Sequence, residues 1–448
     1  MKVKKKTSAK KSSGTPDQIL TIDNYGDFLG EVQQMINKDY AGISTQKFSK
    51  IDFVGTGNAA FDYIISNRIV GGGWPLGRIV EVYGDNASGK SLMGSLALIA
   101  AQKGWVNFHD GTPSMPGVGL LLDVELSFNP EFFFQLGGDP ELLMVADRHK
   151  PLKGSTEVGE EGSKKKLKVP KDADGNEPLY VEAVYEILEK FMLTVRAQHP
   201  KVPIVIVWDS LAQTPTAYEL AKGVRAVDYG KRAQRHSAAM RRIREIVKKT
   251  NSLLFIINQL RHTMAMFGPD KESVGGEAIK YAADLRIHLK KGKRIYYAGS
   301  SSTTLKNISG VQMRTQVEKT RFTPPFREIL SNLFYRSGLD AFSGVYDAWT
   351  DWFRDSNGVF TQELSQEGKP KSGYWLYNGL PDNRLEEPIP FGRKTFMDML
   401  RERSELHGFY QSSFDDESES VSVQEEDEDG EEEVAVEENE ETTGDDAF

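Results

Sequence analysis

The 448-residue chain has no cysteine. That excludes disulfides, thiolate zinc sites and cysteine nucleophiles, and it fits a cytoplasmic setting. Nor does the sequence hold an apolar run approaching the roughly 18 to 20 residues of a membrane-spanning helix, so no membrane partner is expected. The lysine-rich stretch Met1 to Lys11 has no apolar segment behind it and does not read as a secretory signal. The 7 histidines are scattered without ligand spacing. Residues 415–448 hold no Lys or Arg but carry 18 Asp or Glu. With those 18 set aside, the net charge of −9 becomes +9 over residues 1–414. The body is therefore basic and the acidity is terminal. Such a tail either competes with nucleic acid for a basic surface or simply solubilises the chain.

What is present reads as an α/β protein. The runs Ile79 to Tyr83, Val118 to Leu122, Ile204 to Trp208 and Leu253 to Ile257 are short, apolar and β-rich. Helical spacing fills 90–104, 180–199 and 229–250 between them. Strands separated by helices predict right-handed crossovers and a mostly parallel central sheet. Residues 1–17 are basic and expected to be disordered. Over 18–47, Ile22, Tyr25, Phe28, Leu29, Val32, Met35 and Ile36 recur at helical spacing. That segment is either a packed cap or an arm that docks on a neighbour. The core is expected over 48–335, interrupted at 150–178 by a polar surface insertion rich in Gly, Lys and Pro. Asp172, Asp174 and Asn176 hint at a calcium loop there, but Glu177 stands where glycine is required and Ala183 at the twelfth position. Residues 336–412, with Trp349, Trp352 and Trp375, are expected to form a small α+β unit. A disordered acidic tail follows over 413–448.

The strongest chemical signal is Gly84, Asp85, Asn86, Ala87, Ser88, Gly89, Lys90 and Ser91, which fit G-x-x-x-x-G-K-[ST] in full. They follow a strand and open a helix, the context a phosphate-binding loop requires. Backbone N–H groups and the helix N-terminus would cradle phosphates, Lys90 would reach the β- and γ-phosphates of ATP, and Ser91 would hold Mg²⁺. Asp209, after five apolar strand residues, supplies the second metal-side oxygen. The strand 119–123 leads to Glu125, which reads either as the base that orients water or as a solvated carboxylate. Asn258 and Gln259 end another buried strand. The loop after them, with Arg261, His262, Met266 and Phe267, suits phosphate contact combined with base stacking, or a mobile loop with an apolar anchor. Lys222, Arg225 and Arg232 belong to a basic stretch that either lines a DNA path or is a solvated helix face.

In this order the motifs resemble those of the bacterial RecA family and its bacteriophage relatives of the UvsX type. Gly77 to Ser91 is similar to the family's nucleotide-loop segment. Leu122 to Glu125 followed by Asn129 and Pro130 resembles the segment with the catalytic glutamate, which favours Glu125. Phe132 would then stack on adenine. Phe255 to Arg261, then Met266 to Gly268, then Gly275 and Gly276 leading to Lys280 and Tyr281, resembles the succession of γ-phosphate sensor, DNA loop and interface helix. The resemblance thus implies Gln259 as the switch and a DNA path involving Gly275 and Gly276. It also implies that Lys319 and Arg321, with Lys280 and Tyr281, contact a neighbour's ATP; arginine at 321 departs from the family's lysine and alters the contact geometry.

The reading is a RecA-like P-loop ATPase core with an N-terminal polymerisation arm and a small C-terminal domain. It implies a DNA-dependent ATPase that forms filaments on single-stranded DNA and pairs it with duplex DNA in recombination and repair. Self-assembly, single-strand-binding proteins and loading proteins are the partners it implies. A ring helicase on the same core and a non-hydrolysing recombination mediator are the rival readings. If the acidic tail restrains duplex capture, deleting 415–448 raises affinity for duplex DNA. An anisotropy titration giving equal affinities for the full and shortened chains would count against that role.

Overall fold

The computed structural model describes residues 34–35, 51–68, 72–104, 116–150, 157–159, 166–223, 231–262, 271–297, 307–340, 343–348, 360–365, 368–380, 383–392, 395–396 and 399. Residues 1–51 and 52–448 separate into two units. In the first, Gln34 and Met35 are helical; the rest of the expected arm lies outside the described residues, as do Trp349, Trp352 and the acidic tail.

The second unit opens with β1 (Phe53–Val54), α1 (Ala59–Ser66) and β2 (Trp74–Pro75), the two strands pairing antiparallel. Then come β3 (Arg78–Gly84), α2 (Lys90–Lys103), β4 (Val118–Asp123), α3 (Pro130–Gln135) and β5 (Leu143–Ala146). Four short strands follow: β6 (Arg148–His149), β7 (Glu157–Gly159), β8 (Lys166–Lys168) and β9 (Glu177–Pro178). The chain continues through α4 (Val181–Gln198), β10 (Ile204–Asp209), α5 (Ala217–Lys222), α6 (Lys231–Thr250) and β11 (Ser252–His262). Next are β12 (Lys271–Ser273), α7 (Glu277–Ala282), β13 (Leu285–Tyr296), β14 (Ile308–Thr320), β15 (Glu328–Phe334) and β16 (Gly338–Leu339). Strands β17 (Phe360–Leu364), β18 (Pro370–Leu380) and β19 (Asn383–Gly392) form a separate antiparallel sheet.

The central sheet runs β16-β15-β14-β13-β3-β11-β10-β4-β5, with β12 added beside β11. From β13 to β5 every neighbour is parallel, and β14 to β16 extend it antiparallel. Parallel strands covered on both faces are apolar at nearly every position, which is why they read as near-continuous hydrophobic runs. The period of two then divides those residues between two cores. Val80, Val82, Leu121, Val205, Val207, Phe255 and Ile257 join Met93, Ala97 and Ala101 of α2 on one face. Ile79, Leu120, Leu122, Ile204, Ile206, Trp208, Leu254 and Ile256 meet α4 and α6 on the other. Expected and observed strands and helices agree in this block. In the C-terminal segment, Val345, Ala348, Trp375, Tyr377, Phe391 and Phe396 are buried in the same cluster as α2. Among the described residues no helix is long and apolar enough to cross a membrane.

Asp62 of α1 is a buried carboxyl in the first of these cores. Its Oδ1 accepts the Thr56 N–H at 2.8 Å. Burial pushes its pKa from 3.8 up to about 7, against the opposing pull of the Thr56 hydrogen bonds. A pKa raised in the folded state means stability that is full below the unfolded value and is lost as pH rises through the folded one. Wild-type stability should therefore fall between about pH 4 and 7, by on the order of 4 kcal/mol at one and a third per unit. Asp62→Asn keeps an acceptor for Thr56 and cannot ionise. Urea titrations across that range should show a flatter profile in the variant.

Candidate functional site

The carboxyl ends of the parallel strands share one edge. The register sets Gln259 beside Gly84, and Asp209 beside Asp123. This is the edge at which open α/β sheets bind ligands. The loop that leaves β3 is shaped by backbone constraints. A Cβ on Gly84 would lie 2.0 Å from the Leu289 carbonyl oxygen, and Gly89 has φ +90°. Glycine meets both demands, one for close approach and one for left-handed backbone.

Lys90 is buried, and its Nζ donates to the carbonyls of Gly84 and Asp85 at 3.1 and 2.6 Å. Burial lowers its pKa, while Asp209, Glu125 and Asp85 oppose the drop. The Ser88 hydroxyl is buried without a hydrogen-bond partner. Exposed Ser91 bonds the Asp209 carboxylate. Burial pushes Asp209 up to about 6; Ser91 and Lys90 oppose the rise, and the charges of Glu125 and Asp123 add to it. A cluster of three carboxylates facing one lysine admits a polyphosphate only with further positive charge, the setting in which a hard divalent cation bridges phosphate and carboxylate. Among the described residues no three His, Cys, Asp or Glu form a metal cage.

Glu125 lies on the turn after β4 and is exposed. Its Oε1 accepts from Gln259 Nε2 at 3.1 Å and also from the Ser210 hydroxyl. Gln213 Nε2 donates to Gln259 Oε1 at 3.4 Å. Two residues chosen separately from sequence are thus hydrogen-bonded to each other. Asp123 is spent on the turn itself, accepting the N–H groups of Ser127 and Phe128. Phe132 lies in α3, half-buried, and its N–H is capped by Asn129.

Lys319, Arg321, Lys280 and Tyr281 form a second group. Lys319 Nζ donates to the carbonyls of Lys280 and Tyr281 at 2.6 and 3.2 Å. Burial lowers its pKa, and Arg321 and Arg286 lower it further. Arg321 pairs with Asp284 at 3.2 Å, and Lys280 with Glu277 at 2.8 Å. Tyr281 is 70% exposed. The register locates this group relative to the phosphate loop. Gly84 pairs with Leu289, which pairs with Thr315, whereas Lys319 is level with Arg286 and Glu81. Lys319 therefore sits about three residues, or roughly 10 Å at strand rise, from the edge that bears its own loop.

The expected DNA contacts fare differently. Lys222 ends α5, exposed, with its ammonium 5.8 Å from the Tyr218 ring. Arg232 is held at home, donating to both Glu219 oxygens at 2.7 and 2.8 Å and to the Ala212 carbonyl. Arg261 is exposed on β11. Gly275 and Gly276 have φ +98° and +72°, and Gly276 caps α7. Arg225, Met266, Phe267 and the side chain of His262 lie outside the described residues.

Sequence reasoning overlooked Glu81, Ser210 and Gln213. Glu81 has no exposure and binds Asn258 Nδ2 at 2.8 Å and Arg286 Nε at 2.6 Å. Asn258 also donates to the Val274 carbonyl at 2.7 Å, and Arg286 to Ser273 at 3.2 Å. The available signal was a lone carboxylate inside an apolar strand, which must find partners.

The RecA N-terminal domain family model matches residues 29–156 and 177–340. The chain is 26% identical over 358 residues to Protein RecA of Aquifex aeolicus, covering 80% of this chain and 81% of that one. It is 26% identical over 365 residues to Protein RecA of Herpetosiphon aurantiacus, covering 81% and 80%. Against Protein RecA of Clostridioides difficile it is 25% identical over 406 residues, covering 89% and 96%.

Glu125→Gln keeps an amide oxygen for Ser210 and Gln259 but removes the base. If Glu125 activates water, nucleotide binding persists while turnover falls by about 10²- to 10⁴-fold. Phosphate release measured beside nucleotide retention separates this outcome from a folding defect.

Proposed function

The chain belongs to the RecA N-terminal domain family, and from that premise we propose how its own residues divide the work. At family level it is a DNA-dependent ATPase and an ATP-dependent recombinase of DNA recombination and repair. The finer reading is a cytoplasmic protein that assembles along single-stranded DNA, with ATP bound at each subunit interface, and pairs that strand with a homologous duplex.

In this reading the loop Gly84 to Ser91 holds the phosphates and Phe132 the adenine. Ser91 and Asp209 would hold Mg²⁺, which would supply the charge that lets phosphate sit among the carboxylates. Glu125 takes a proton from the attacking water. Gln259 leaves Glu125 to meet the γ-phosphate, and the end of β11 with Arg261 and His262, followed by the stretch with Met266 and Phe267, carries that change to DNA, with Gly275 and Gly276 closing it. Lys222 and Arg225 belong to the same path. Arg232 has a smaller claim on it, because Glu219 neutralises its guanidinium.

The observation that carries this reading is the hydrogen bond between Gln259 and Glu125 at 3.1 Å. It ties sensor and base into one unit that phosphate entry would reorganise. The register supports a cross-subunit role for Lys319 and Arg321, since they stand away from their own phosphate loop.

Electron microscopy with single-stranded DNA and a non-hydrolysable ATP analogue should show extended helical filaments. Lys90→Ala should abolish them together with nucleotide retention. Lys319→Ala should abolish them while the DNA-free monomer still retains nucleotide. Closed rings in the wild type would point to a helicase instead, and neither form to a mediator.

A further inference from the structure

Strands β13 and β3 lie between Lys319 on β14 and Gln259 on β11. Polar side chains cross that gap without a break, beginning at Glu318. The pairing of β13 with β14 slips between Arg286, opposite Lys319, and Ile287, opposite Val317, so Glu318 is the extra residue of a bulge. A bulge re-aims the side chain it carries. Glu318 thereby lies 3.5 Å from Arg286 Nη1 and 3.5 Å from His288 Nδ1, and the Tyr83 hydroxyl bonds it as well. His288 first, then Tyr83 and the charge of Arg286, hold its carboxyl below the usual range against the opposing effect of burial.

The next steps are tighter. Arg286 Nε donates to Glu81 Oε2 at 2.6 Å, and Glu81 Oε1 accepts from Asn258 Nδ2 at 2.8 Å. Asn258 Oδ1 accepts the Gln259 N–H at 2.9 Å. The Gln259 carbonyl accepts the Val274 N–H at 3.3 Å, and the Val274 carbonyl accepts from Asn258 Nδ2 at 2.7 Å. From Arg286 to Asn258 every polar group is planar. A guanidinium, a carboxylate and an amide pass on orientation as well as charge, because each bonds in a fixed plane. Glu81 has no exposure and must keep its counter-ion, yet Glu318 competes for the same guanidinium. A shift of β14 at Lys319 would alter that competition.

We propose that Glu318 and Arg286 are positioning residues that make the setting of Gln259 depend on where Lys319 is held. This rests on the recombinase reading and deepens it. Coupling needs two states with different contacts. In the lone chain Lys319 donates to the carbonyls of Lys280 and Tyr281. In a filament it would donate to a neighbour's nucleotide, while Gln259 meets the subunit's own. Occupancy of one interface would then prepare the next.

The test is the ATP dependence of turnover by the full chain on single-stranded DNA. The wild type should show a Hill coefficient above one. Glu318→Gln keeps an acceptor for Tyr83 but removes the rival charge. Its coefficient should fall to about one, with turnover at saturating ATP retained. Arg286→Lys keeps a counter-ion for Glu81 but loses the fork, and should behave alike. Glu328→Gln, which breaks an exposed ion pair on the adjacent strand, should leave the coefficient in place. A merely structural role would lower stability or turnover without moving it. Electron microscopy shows whether each variant still forms filaments. A coefficient lost while filaments are kept supports the coupling. A wild-type coefficient in either folded variant overturns it, as does a wild type whose own coefficient is one. Variants that lose their filaments would place these residues in assembly and overturn it too. A wild type without DNA-stimulated turnover overturns the recombinase reading, and this inference with it.

Discussion

A carboxylate with no exposure to solvent, Glu81, lies inside the parallel sheet, and the organisation of the carboxyl edge follows from how it is satisfied. An unpaired charge there would cost several kcal/mol. Arg286 from β13 and Asn258 from β11 meet it from the strands on either side. Both partners are shared. Arg286 also approaches Glu318 at 3.5 Å and binds Ser273, while Asn258 binds the Val274 carbonyl and, through its Oδ1, the Gln259 N–H. One buried charge therefore ties together the strand that ends in the phosphate loop, the strand that carries Gln259, and the chain at Ser273 and Val274. Removing Arg286 would leave the buried charge without its counter-ion, whereas an exposed ion pair such as Arg314 with Glu328 carries little weight.

The edge itself is held in an unbalanced state. Asp123 accepts two backbone N–H groups, while Asp209, Glu125 and Asp85 face Lys90. Lys90 donates to carbonyls of its own loop, and Gln259 donates to Glu125. The Lys90 ammonium would be accepted more strongly by a phosphate than by these neutral carbonyls, because an anionic acceptor makes the shorter and stronger hydrogen bond. The groups expected to bind nucleotide are thus paired with one another, in contacts weak enough to be exchanged.

Much of this was legible in sequence, for reasons that differ by element. Strands β3, β4, β10 and β11 announce themselves because parallel strands covered on both faces tolerate few polar residues. The phosphate loop is legible because its glycines answer backbone demands that hardly any other residue meets. The partners of Glu81 were not, since they lie 177 and 205 residues away in the chain. Arg232 looked like a free cation in a basic run, and only the fold reveals that Glu219, thirteen residues earlier, neutralises it. The insertion read as a polar surface loop because its composition is polar. Two buried residues, Val169 and Glu177, are enough to tie its base to the core. A sparse anchor of that kind leaves no periodic trace.

The place of Lys319 follows from strand direction alone. β14 runs antiparallel to β13, so its C-terminal residues return toward the amino ends of the parallel block. A cation carried there moves away from its own phosphate loop with every residue. Lys319 and Arg321 nevertheless keep company that suits cations poorly, with each other's charge and that of Arg286 lowering the Lys319 pKa after burial has done so. Carbonyls at the C-terminal end of α7 are what hold Lys319 in this crowd. An anion brought by a second subunit would relieve the repulsion, and Tyr281, exposed beside it, offers a surface for that subunit to cover. Charges that are costly in the lone chain would then favour a contact that brings an anion to them.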